Sequence, residues 1–117
     1  MDNTLLLETE QPEGFEYPTE FLRFLELRVS DLDPWRLLEG DLLRGRHAGL
    51  REKYPSARLV PFASRYDRDD VACFDASRLE VPVVVIHEGA SPGWERRAEF
   101  ESFRAWLHAA VDDALDF

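Results

Sequence analysis

Residues 81–86 carry an apolar side chain at every position. Successive side chains of a strand point to opposite faces, so such a segment has no solvent face and reads as an interior strand covered by a helix. With only six residues, interrupted by Pro82, it falls far short of the roughly 18 apolar residues that a membrane span requires, and no longer apolar run exists. His87 closes the strand, and Gly89, Ser91, Pro92 and Gly93 form the turn after it.

A cover for this strand is plain further on. Phe100, Phe103, Trp106, Leu107, Ala110, Val111, Ala114 and Leu115 recur at three- and four-residue steps, with Glu101, Arg104, His108 and Asp112 opposite. That is an amphipathic helix with an aromatic inner face. Asp112, Asp113 and Asp116 lie at its negative dipole end, which predicts fraying of the last turn. A second helix is predicted over residues 18–29, begun by Pro18 and presenting Phe21, Leu22, Leu25 and Val29 on one face. Ser30 and Asp31 stop it, and Asp33-Pro34 marks a turn. Residues 35–38 read as a short strand or the start of another helix. Gly40, Gly45 and Gly49 break up the next segment, where Leu42, Leu43 and Leu50 are the apolar anchors; it reads as a short helix plus loop. Residues 58–63 and 71–74 read as strands, with Pro61 confining the first to an edge or an end. The predicted fold is therefore α+β: a mainly antiparallel sheet of about four to six strands packed against N- and C-terminal helices. Residues 1–16 read as a loosely ordered leader, with the Leu5–Leu7 triplet as its candidate dock on the domain, and residues 17–117 as a single domain, as befits a chain of 117 residues.

Charge and cysteine content narrow the function classes. The chain holds 24 acidic and 14 basic residues, a net charge of −10. Nucleic acid binding draws on clustered Lys and Arg, and the overall balance argues against it. Residues 1–20 hold six acids and no base, whereas residues 36–58 hold six bases and three acids. An acidic surface serves solubility, or attracts a basic partner protein at steered rates. The single Cys73 excludes an internal disulfide framework and a zinc site built on several cysteines, and no basic residue precedes Arg23 as a targeting peptide would require. A reducing, cytoplasmic location without membrane attachment is expected.

Motifs for phosphate, dinucleotide, zinc-protease, hydrolase and CxxC redox chemistry are missing. His87-Glu88 is the one pair resembling an acid–base site, yet neighbouring strand residues diverge to opposite faces. Cys73 reads as a small strand hydrophobe rather than a nucleophile. Asp67, Asp69 and Asp70 lack the register of a calcium loop and read as a solvated turn. No cofactor and no metal is expected. Three carboxylates within four residues belong in water. Together with Glu88 at the strand end and Trp94 in the following loop, Asp67, Asp69 and Asp70 are the expected partner-binding face. An alternative makes Asp70 a turn former whose carboxylate takes backbone amides.

Taken together, residues 59–63 (LVPFA), 70–75 (DVACFD), 82–85 (PVVV) and 103–107 (FRAWL) resemble the SUKH superfamily, including its branch homologous to a yeast cell-wall synthesis regulator. The similarity spans residues 58–107, and the family's glycine before the motif Asp is replaced by Asp69. The resemblance implies an α+β binding domain. Bacterial members are typically immunity proteins encoded beside polymorphic toxins, many of them nucleases or deaminases. The expected function is thus a non-enzymatic immunity protein that occludes a basic toxin domain. The alternatives are a regulatory or scaffolding adaptor of the same fold, or a small enzyme using His87 and Glu88.

Overall fold

The computed structural model describes residues 4–29, 31–89 and 96–117. Five strands form one antiparallel sheet in sequence order: β1 (Trp35–Leu37), β2 (Leu59–Arg65), β3 (Asp70–Asp75), β4 (Val83–His87) and β5 (Arg96–Phe100). Helix α1 (Thr19–Glu26) precedes the sheet, α2 (Gly40–Lys53) connects β1 to β2, and α3 (Phe103–Asp116) follows β5. The architecture is α+β, as the sequence predicts.

Register sorts the side chains into two faces. Val60, Phe74, Val83 and Phe100 line up across the strands, as do Ala63, Ala72, Val85 and Ala98. This face carries α1 and α3, because the Phe74 ring meets Phe21 at 5.2 Å and Phe103 at 6.3 Å. The other face presents Pro61, Cys73 and Val84 in one row and Val71 and Ile86 in another. There α2 packs along β2, burying Leu43, His47 and Leu50. With helices on both sides, every residue of β3 is buried, and the apolar run of β4 is accounted for in the same way.

Several local outcomes differ from the sequence reading, each for an identifiable reason. Helix α1 stops at Glu26, since Arg28 adopts a left-handed φ of 54° and the amides of Leu27 and Arg28 bond back three residues. Its buried anchors are Phe21 and Phe24, while Leu22 and Val29 are exposed. Residues 35–37 are strand. The glycine-rich segment forms the full 14-residue α2. Gly45 and Gly49 face open space, where missing side chains cost no packing. The buried positions 43, 47 and 50 repeat at helical steps once His47 counts as an anchor. Burial of its imidazole, with Arg51 nearby, holds the His47 pKa below its ordinary value.

Pro61 lies in an inner strand and not at an edge. The β2–β3 register shifts between Pro61 and Ala63, and β1 extends only to the level of Ala63, so the missing N–H falls at a bulge beyond β1. Residues 96–100, of which the sequence reading assigned only Phe100, to the following helix, form β5, with Ala98 and Phe100 packed against the core. Phe100 thereby leaves α3, which starts at Phe103 behind Ser102, whose hydroxyl accepts from the Ala105 amide at 3.1 Å. Residues 4–16 are docked and not loose: Leu6 and Phe15 are core residues. Arg44 of α2 binds both carboxylate oxygens of Glu10 at 2.8 Å, and the Gly40 amide donates to Thr4 O. The last turn of α3 is tied down as well, since Asp113 accepts from Trp35 Nε1 at 2.9 Å.

Trp106 is 1% exposed and touches the rings of Trp35, Phe62 and Phe103. Trp106→Ala is expected to cost about 3–5 kcal/mol in urea unfolding. A loss below about 1 kcal/mol would mean that α3 does not close the core.

Candidate functional site

The β2–β3 turn brings four of the five expected partner-binding residues to one end of the sheet. Asp67 and Asp69 lie in the exposed turn, Asp70 opens β3, and Glu88 follows β4 with its amide bonded to Asp69 O at 3.1 Å. The fifth, Trp94, lies outside the described residues.

Asp70 departs from the expected solvated carboxylate. It is 2% exposed and sits opposite His87 in the register, on the same face as Phe74. His87 Nδ1 and Arg97 Nε each approach Oδ1 at 3.0 Å, and Arg68 Nε lies 3.2 Å from Oδ2. Nor does it act as a turn former holding backbone amides, because its oxygens go to side chains. A buried carboxylate keeps its charge only with such partners. Sequence adjacency hid this cluster, since Arg97 reaches Asp70 across β4; once β5 is recognised, Arg96 falls level with Ile86 and Arg97 lies at the register shift beside it, close to the end of β4.

Asp67 and Glu88 are paired too. Arg65 grips Asp67 with two hydrogen bonds, 2.9 and 3.0 Å, and reaches Asp113 of α3 at 3.4 Å. The Arg65 guanidinium holds the Asp67 carboxyl below the usual carboxylate range. Glu88 points to the opposite face, accepting from Arg46 of α2 at 2.8 Å. Among the described residues, Asp69 is the one carboxylate of the four with no cation beside it.

Chemically, His87 and Glu88 do not converge. His87 is oriented by Asp70, as a carboxylate orients the imidazole of an acid–base pair. Cys73 is no nucleophile for it: the thiol is fully buried on the other face, and burial pushes its pKa up. Among the described residues no group of three or more His, Cys, Asp or Glu is placed to hold a metal ion, and no helix is long and apolar enough to cross a membrane.

Uncompensated acid lies elsewhere, along residues 8–22. A cleft of about 890 Å³ there is lined by Glu8, Glu13 and Glu16 with Phe15, Tyr17 and Leu22. The three glutamates are exposed, and among the described residues none of their carboxylates is in an ion pair, while the Arg58 guanidinium donates to the Glu13 carbonyl oxygen. The sequence signal was present, as six acids without a base in residues 1–20, but a segment read as loose offered no surface to place them on. Comparison of the chain with protein-family models, curated proteins and solved structures finds no match.

Asp70→Asn leaves Arg68, Arg97 and His87 around a neutral amide. Because these partners are partly exposed, solvent softens the loss below that of a fully buried pair, and a cost of about 2–3 kcal/mol in chemical denaturation is expected. A change under about 0.5 kcal/mol would show that the cluster does not hold the sheet end together.

Proposed function

We propose that the chain is a protein-binding module of the immunity type, which meets a basic partner at the acidic cleft of residues 8–22. The observation that carries the reading is the placement of Glu8, Glu13 and Glu16 beside the half-buried Tyr17 and the exposed Leu22, over the buried Phe15, with none of the three carboxylates in an ion pair among the described residues. Free carboxylates steer a positively charged surface during encounter, and an apolar floor holds it afterwards. At the β2–β3 turn, by contrast, Asp67, Asp70 and Glu88 already spend their charge on Arg65, on Arg68 and Arg97, and on Arg46. A net charge of −10 favours a basic target over a nucleic acid. The likeness of residues 58–107 to SUKH immunity proteins supports a toxin domain as that target.

The test is co-expression with the product of the adjacent reading frame. The reading expects relief of growth arrest and a complex whose association slows about tenfold in Glu13→Lys/Glu16→Lys, with a flatter salt dependence. Asp69→Lys distinguishes the two acidic surfaces, and it is expected to leave the rate within about threefold of wild type. Neither protection nor a complex would overturn the reading. A rate lowered by Asp69→Lys and not by the glutamate variant would move the partner to the turn.

A further inference from the structure

His47 is only 6% exposed, yet its imidazole makes no hydrogen bond or ion pair with any described residue. Buried polar side chains are almost always partnered, so an exception calls for an explanation. The imidazole lines a cleft of about 600 Å³ between residues 9–12 and the C-terminal half of α2. Arg51, one turn further along α2, and Arg58, just before β2, line the same cleft. Both arginines are exposed, and neither is in an ion pair among the described residues. Two carboxylates also reach the cleft. Glu10 is taken up by Arg44 through two hydrogen bonds of 2.8 Å, whereas Glu52 is exposed. Arg51 and Arg58 against Glu52 leave a surplus of one positive charge, even with His47 neutral. Pro12, Ala48 and Pro55 add apolar wall.

We propose that this cleft binds a single oxyanion group, a carboxylate or a phosphate, with His47 as its buried donor and Arg51 and Arg58 at its rim. An imidazole offers an N–H in either protonation state, so His47 supplies a directed contact. The guanidiniums supply charge and forked hydrogen bonds. Burial and the neighbouring Arg51 disfavour the imidazolium, while Glu10 favours it. The remaining charged groups around His47 are Glu52 of α2, Arg58 before β2, and Arg44, which is bound to Glu10. An anion held between His47 and Arg51 offsets their repulsion, so its binding and the protonation of His47 favour one another. His47 lies six residues before the end of α2, outside the last turn, where the helix dipole would repel an anion. Glu52 keeps the surplus small, which suits one oxyanion and not a polyanion such as nucleic acid. The cleft adjoins the acidic one, since Gln11 and Pro12 line both, but the proposal needs no partner protein and stands apart from the reading above.

Nuclear magnetic resonance of the imidazole groups in the full chain tests the site. Sodium acetate and sodium phosphate are the probes, against sodium chloride at equal ionic strength. The His47 signals are expected to shift saturably with acetate, phosphate or both, with a dissociation constant of about 1–10 mM, as befits a probe of about five heavy atoms. The tighter of the two identifies the oxyanion that the cleft takes. The exposed His108 is expected to respond alike to all three salts. Acetate should bind about twofold or more tightly at about pH 5.5 than at about pH 8, because the lower pH supplies the imidazolium. Arg51→Gln/Arg58→Gln is expected to weaken binding about tenfold with an unchanged melting temperature, since both side chains are exposed. A His47 signal that follows chloride as it follows acetate and phosphate overturns the inference. So does saturable binding that is unchanged in the double arginine variant, or weaker at the lower pH.

Discussion

The stacking of Phe62 on Phe74, 4.4 Å between ring centroids on adjacent strands, is the contact on which the rest of the core is arranged. Phe21 of α1 meets both rings edge-on at 5.5 and 5.2 Å. Phe103 and Trp106 of α3 meet Phe62 at 5.7 and 4.8 Å. Edge-to-face rings gain about 0.5–1.5 kcal/mol each beyond area burial, and here they fix where two helices land on the sheet. Phe62 reaches this position at the irregularity in β2, which also makes room for Pro61. One bulge therefore serves both packing and the tolerance of proline.

From this centre the order spreads to the turn end. Trp106 holds Trp35 at 5.3 Å, Trp35 donates to Asp113, and Asp113 shares Arg65 with Asp67 of the β2–β3 turn. Asp70 then joins β3 to β4 and β5 through His87 and Arg97. The ion pairs at this end thus form a structural clasp. Charge that a partner could use lies instead on residues 8–22, which the Glu10–Arg44 pair fastens to α2.

Elements governed by a regular apolar period were legible in the sequence. The inner strands β3 and β4 and helix α3 show it in residues 71–74, 83–86 and 103–110. Elements held by tertiary contacts were not. Helix α2 has a polar sequence whose buried positions include a histidine, and its glycines disguise it although they point outward. Strand β5 is an edge with only Ala98 and Phe100 turned inward, and Phe100 also fits the helical period that follows. The leader is placed by Leu6, Phe15 and one arginine 34 residues away in sequence, a long-range pairing that no local pattern carries. For the same reason Asp67, Asp69 and Asp70 look alike as sequence neighbours, while pairing with Arg65, Arg68 and Arg97 separates a clasped, a free and a buried carboxylate.

Native-state hydrogen exchange of the β3 amides tests most directly whether burial between helices on both faces organises the molecule. If it does, Val71, Ala72, Cys73 and Phe74 exchange only through global unfolding, with opening free energies equal to the stability from denaturant titration, while amides of β1 and β5 open at lower cost. Opening of β3 at energies several kcal/mol below the global value, as readily as at the sheet edges, would contradict the account.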